Sequence, residues 1–207
     1  MDTPDLTRAG LPDAPRIAAL LARAFQDDPL TRYAIPDANQ RRTLLPWLIG
    51  LNVRYGCRYG EVYATRGCTG AAIWLPPGHT TRTFWRMLRA GMLAAPLKLP
   101  WPVLRRLAHA GGYSVALHER CAPGPHWYLS QIGVEPSHWR QGTGSQLLRP
   151  VLARIDAAAL PCYLETERQT NVVFYQRHGF QVVAEGDAPH GGPHVWAMLR
   201  PAREAGG

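Results

Sequence analysis

The chain has 207 residues, 46% of them apolar and 18% charged, with a formal net charge of +8. That length suits one domain of ordinary size with a full hydrophobic core, and an apolar run of about 18 residues that could cross a bilayer is missing. The positive charge is almost wholly arginine and is spread along the chain, which fits a field that collects a polyanionic ligand better than a nucleic-acid module.

Met1 to Asp5 lacks the basic and apolar regions of a signal peptide, so a cytoplasmic protein is expected. Cys57, Cys68, Cys121 and Cys162 form no C-x-x-C pair and read as small buried hydrophobes, with neither a disulfide nor a zinc site. His190 and His194 flank Gly-Gly-Pro, the grammar of a hairpin loop more than of a metal site.

In chain order, Leu6 to Ala9 reads as a short strand. Ile17, Leu20, Leu21, Ala24 and Phe25 then form a helical apolar stripe that stops near Asp27-Asp28-Pro29. A second helix is expected from Asn39 to Arg58, with Pro46 in its first turn or kinking it. Glu61 to Thr65 and Gly70 to Leu75 read as an antiparallel hairpin. Trp74, on its second strand, is either core or the wall of a binding cleft.

Thr80 to His118 follows as an apolar and basic stretch interrupted at Pro96 to Pro102, read as two helices. Such a segment serves as a lid over a neighbouring site, as a dimer surface, or as an amphipathic element on a membrane. Tyr128 to Val134 is the next strand, stopped by Glu135-Pro136.

Arg140-Gln141-Gly142-Thr143-Gly144-Ser145 comes next and opens a helix whose stripe is Leu147, Leu148, Val151, Leu152 and Ile155. The first N–H groups of a helix have no intrahelical partner and sit at the positive end of its dipole, so phosphate is a natural guest there. Glycines at 142 and 144 would let it approach; a plain connecting turn is the alternative. The dinucleotide fingerprint fails, because its third glycine falls on Leu147. The P-loop fails too, because the chain's one lysine is Lys98. Cys162 to Thr166 is a further strand, Asn171 to Gln176 a helix closed by Gly179, and Phe180 to Ala184 and His194 to Leu199 two final strands.

This arrangement resembles the GNAT superfamily of N-acetyltransferases, whose acyl-CoA loop, Q/R-x-x-G-x-G/A, follows a strand and opens a helix. Gly142 and Gly144 match it, and the Q/R position falls on Trp139. Asn171, Phe174, Tyr175, Gly179 and Phe180 resemble the family's later segment. The likeness covers about the last third of the chain. The run from Trp127-Tyr128-Leu129 through Leu164-Glu165-Thr166 to Gly179-Phe180 looks most like the branch containing puromycin N-acetyltransferase.

The resemblance implies a mixed α/β sheet flanked by helices, one domain over 1–207 with a helical insertion at about 80–118 between the third and fourth strands. It also implies transfer of an acetyl group from acetyl-CoA to the primary amine of a small molecule. A non-catalytic acyl-CoA-binding domain and a protein N-acetyltransferase are the alternatives. The cofactor-binding residues would be Ile132, Gly133, Val134, Arg140, Gln141, Gly142, Thr143, Gly144, Ser145, Asn171 and Phe174, with the Val134 N–H beside the thioester carbonyl.

Phe25, Asp28, Tyr33 and Trp74 would border the acceptor, although Phe25 also reads as core and Asp28 as a helix cap. Asn171 would hold the pantetheine arm, or cap its helix. Tyr175 aligns with the family's tyrosine that protonates the departing thiolate, and a phenol is a competent donor to a thiolate. Glu165 is the candidate base that takes the amine's proton; a cap or a salt bridge is its other reading.

Overall fold

The computed structural model describes residues 6–81 and 83–203. Residues 1–5, on which the signal-peptide argument rests, and 204–207 lie outside that part.

Among the described residues seven strands form one sheet in the order β1-β2-β3-β4-β5-β7-β6. They are β1 (Leu6–Arg8), β2 (Glu61–Thr65), β3 (Gly70–Leu75), β4 (Trp127–Val134), β5 (Cys162–Thr166), β6 (Gln181–Asp187) and β7 (His194–Arg200). Every neighbouring pair is antiparallel except β4 and β5. The β2–β3 turn is closed by Thr65, whose hydroxyl accepts from the backbone N–H groups of Thr69 and Gly70.

Strand alternation divides the core into two layers. Val62, Ala64, Ala71 and Ile73 face α1 (Ala14–Ala24) and α3 (Ala38–Tyr59). Ala72, Trp74, Leu129, Leu164 and Met198 face α7 (Thr143–Ala157) and α8 (Gln169–Gln176). Trp74 is 0% exposed among these residues. Its expected place at the acceptor is therefore corrected: as the neighbour of Ala72 on the α7 side of β3, it is sealed in the core and lines no cleft.

Helix α1 presses on β4 at Gly133, where a Cβ would stand 2.8 Å from a Leu21 methyl and 3.0 Å from the Ala24 Cβ. Only glycine allows that approach, and it brings the end of α1, with Phe25, to the middle of the sheet. A short helix unread in the sequence, α2 (Pro29–Ala34), follows at once. Asp28 caps it by accepting from the Leu30 N–H at 3.1 Å, with Pro29 in the first turn. Pro46 lies well inside α3, not in its first turn.

Among its described residues the insertion holds three α-helices where two helices were expected: α4 (Phe84–Ala90), α5 (Ala95–Lys98) and α6 (Trp101–Cys121). Gly91, at φ 108°, ends α4 in the left-handed region. Ala95, Leu99 and Val103 bind the insertion to Ala34 and Ile35 of the α2 end. Leu117 binds α6 to Tyr163, Val195 and Ala197. No helix among the described residues is long and apolar enough to cross a membrane.

Candidate active site

β4 and β5 pair only at Trp127 with Cys162 and Tyr128 with Tyr163; beyond these the ladder ends and β4 has an open edge. Ser130 is an extra residue in β4, because Ile73 stands opposite Gln131 and Trp74 opposite Leu129. Such a bulge bends and twists its strand.

The Glu135 N–H donates to the Thr69 carbonyl at 2.8 Å. By the alternation of a strand, the N–H groups of Gln131 and Gly133 also face β3, which leaves those of Ile132 and Val134 on the open edge. On that same edge the Trp139 indole N–H donates to the Val134 carbonyl at 2.8 Å.

Two hollows meet there. One is lined by Ile132, Gly133, Val134, Trp139, Arg140, Gly142, Thr143, Gly144, Ser145, Arg168, Asn171, Phe174 and Arg177. The other, of about 630 Å3, is lined by Thr80, Thr81, Ser114, Val115, His118 and Glu119 on one side and by Tyr128, Ser130, Gln131, Glu165 and Glu167 on the other. Phe25, Asp28, Ile132, Asn171 and Tyr175 line both.

The first hollow has the chemistry of a phosphate site. Helix α7 begins at Thr143, and its first turn bonds from the Gln146 N–H to the Gly142 carbonyl at 3.1 Å. The N–H groups of Thr143, Gly144 and Ser145 precede that bond, at the positive end of a 15-residue helix.

Gly142 has φ 82° and no atom within 4 Å of where a Cβ would be, so its backbone conformation is what requires glycine. Gly144 differs: a Cβ there would stand 3.1 Å from the Phe174 ring. Arg140, Arg168 and Arg177 add positive charge around the loop. These residues fit the pyrophosphate and pantetheine of coenzyme A. Gln141 does not line the hollow; its side-chain amide donates to the Ser137 carbonyl at 3.2 Å.

At the junction the ionisable groups crowd. Burial, then the nearby charges of Asp28 and Glu165, pushes the Glu167 carboxyl up to about 8. Burial also raises Asp28, opposed by the Arg168 guanidinium at 3.6 Å. The Tyr175 phenol, 6% exposed, is raised by burial first and then by the charges of Glu167 and Asp28. Glu165 accepts from the Tyr128 hydroxyl at 2.7 Å, and the cap position of the helix after it is held by Arg168. Asn171 is inside α8, whose cap position is Arg168, and its side-chain amide donates to the Thr166 hydroxyl at 3.1 Å.

The structure thus brings Phe25, Asp28, Ile132, Val134, the 142–145 turn, Glu165, Asn171, Phe174 and Tyr175 to one place. It leaves Tyr33 outside: the hydroxyl lies 3.5 Å from the Pro189 carbonyl, toward the β6–β7 loop, and lines neither hollow.

Sequence reasoning missed Glu167, although Glu165 and Glu167 stand two apart at the end of a strand, the spacing that puts side chains on one face. It also missed His118, whose Nε2 is 2.7 Å from the Nε2 of His126. No sequence spacing pairs those two, since they lie on a helix and in a loop. Among the described residues no group of three or more His, Cys, Asp or Glu could hold a metal ion.

In sequence and in fold the chain is similar to known acetyltransferases. Residues 106–182 match the model of the acetyltransferase (GNAT) domain. An uncharacterised N-acetyltransferase of Schizosaccharomyces pombe is 26% identical over 176 residues, 81% of this chain and 70% of that protein. A Corynebacterium glutamicum structure described as histone acetyltransferase HPA2 and related acetyltransferase superposes with a TM-score of 0.67, at 22% identity and 98% coverage of each chain. The Drosophila melanogaster polyamine N-acetyltransferase superposes at 0.61, with 16% identity and coverage of 95% of this chain and 98% of its own. The segment 106–182 is thus similar to the GNAT acetyltransferase domain, and the mixed seven-stranded sheet flanked by helices has the GNAT fold of its structural neighbours.

Proposed function

We propose that the protein transfers an acetyl group from acetyl-CoA to the primary amine of a small molecule, by direct attack on the thioester. The observation that carries this reading is the junction of the two hollows at Tyr175, on the open edge of β4. Bound acetyl-CoA would supply an electrophilic carbonyl and a thiolate leaving group.

The chain's own groups divide the remaining work. The Thr143 to Ser145 N–H groups, with Arg140 and Arg168, hold phosphate. The Val134 N–H, directed to the open edge, donates to the oxyanion that develops on the carbonyl. A free alkylamine is mostly protonated at neutral pH, so a carboxylate must take its proton. Glu167 is the better of the two candidates, because its carboxyl is raised to about 8, nearer to an amine's range, whereas Glu165 is engaged by Tyr128.

The Tyr175 phenol stays protonated and donates to the departing sulfur. Its proton affinity is raised in part by the Glu167 charge. When Glu167 takes the amine's proton that charge vanishes, and Tyr175 becomes the stronger acid at the step that needs one. The two proton transfers are coupled through space.

Helix α6 walls the far side of the acceptor hollow, which favours a small molecule over a protein terminus. The puromycin-branch likeness rests on sequence alone and makes a hydrophobic aminonucleoside-type amine one of the first acceptors to try. Four free thiols suit a reducing, cytoplasmic setting. The test is incubation with acetyl-CoA and a panel of amines, read as free-thiol release and as acetylated product by mass spectrometry. Tight acetyl-CoA binding without product from any amine would leave the acyl-CoA-binding alternative standing and this reading overturned.

A further inference from the structure

Five large apolar side chains of the insertion point to solvent along one stretch of chain: Phe84 at 69% exposed, Trp85 at 72%, Leu93 at 72%, Leu97 at 90% and Trp101 at 73%. Scattered exposed apolar residues are ordinary, but such a run with three aromatics is not. Their helices already have an inward apolar face, made by Ala90, Ala95, Leu99 and Val103. The outward residues are therefore apolar surface on the same short stretch of chain that the fold leaves uncovered.

Charge says what covers it. Thr80 to His118 contains five arginines and one lysine, and neither aspartate nor glutamate. Arg89, Lys98 and Arg105 are exposed beside the apolar residues. A two-fold contact with a second copy would set this all-positive segment against itself, in a chain already at +8. Tryptophan and leucine flanked by cations is instead the chemistry of the headgroup region of an anionic bilayer.

We propose that the outer surface from α4 to the start of α6 docks on an anionic phospholipid membrane, with Trp85, Leu97 and Trp101 inserted among the headgroups and Arg89, Lys98 and Arg105 against phosphate. Thr80 and Thr81, just before α4, line the acceptor hollow, so docking would hold its mouth near the lipid surface. The proposal is independent of the acetyl-transfer reading, since it concerns a different face.

The experiment is co-sedimentation of the whole protein with phosphatidylcholine vesicles containing phosphatidylglycerol, and with phosphatidylcholine vesicles alone. Binding is expected to the anionic vesicles and to weaken with salt. Leu97→Glu with Trp101→Glu should lower the partition coefficient at least about tenfold. Both positions are exposed, so the variant should melt as wild type does; Arg89→Glu with Arg105→Glu is a second variant expected to lose binding. No binding of wild type to anionic vesicles at low salt would overturn the proposal. So would equal partitioning of both double variants, or a wild-type dimer that the Leu97→Glu, Trp101→Glu variant dissolves in the absence of vesicle binding.

Discussion

The Trp139 indole N–H donates to the carbonyl of Val134 at 2.8 Å and ties the segment leading into the Gly142 turn to the open edge of β4. The position where the resembled loop carries Gln or Arg thus holds a residue that fixes the edge and occupies one of its acceptors. The Val134 N–H faces the same edge and, in the mechanism we propose, donates to the oxyanion.

Trp139→Phe keeps an aromatic side chain and removes the donor. A neutral hydrogen bond contributes about 0.5–1.5 kcal/mol, so the KM for acetyl-CoA should rise roughly two- to tenfold at nearly unchanged Tm. Steady-state kinetics at saturating amine measures it, and an unchanged KM would remove Trp139 from the loop's design.

At Gly144 the obstacle to a side chain is Phe174, 3.1 Å from the Cβ position. Valine there displaces that ring into the cofactor hollow or tilts the start of α7. Acetyl-CoA affinity should fall at least about tenfold, equivalent to about 1.4 kcal/mol, as read by calorimetry. Equal affinity in a folded Gly144→Val protein would show that the loop does not bind the phosphates.

Glu167 makes a pH prediction with two readouts. Its carboxyl moves from an ordinary 4.5 to about 8 in the folded protein. Between those values the folded state keeps a proton that the unfolded chain has released, so stability falls as pH rises through the window. Glu167→Gln should therefore gain Tm relative to wild type at pH 8 and above, and little at pH 4. In kinetics, wild-type kcat/KM should climb with an apparent pKa near 8. The variant should lose about 10² to 10⁴ in rate and keep only the rise that follows the amine's own ionisation. A variant retaining the limb near 8 would return the role of base to Glu165.

Much of this was legible from local patterns. The strands of the central sheet, the helix after Gly142, and the joint presence of Asn171, Phe174 and Tyr175 follow from alternation, from glycine placement and from one motif. Trp74 was not, because alternation puts a strand residue on one of two faces without saying which face is covered; here α7 covers it. Tyr33 lies on a six-residue helix too short for a periodic signal, and that helix turns it to the β6–β7 loop. Glu165 and Glu167 differ by their surroundings, a tyrosine hydroxyl for one and two further carboxylates for the other, and surroundings appear only when distant segments meet.

Tyr175, buried where the two hollows join, is the central claim, and Tyr175→Phe tests it most directly. Phenylalanine keeps the ring that packs on Phe174 and Phe180. The measurement is the rate of the chemical step, by rapid-quench single turnover with acetyl-CoA and an accepted amine. The account predicts unchanged acetyl-CoA affinity, a loss of roughly 10² to 10⁴ in rate, and partial recovery with a thioester whose leaving thiol has a lower pKa. Turnover at the wild-type rate where chemistry limits would contradict it and assign the thiolate's proton to water or to another group.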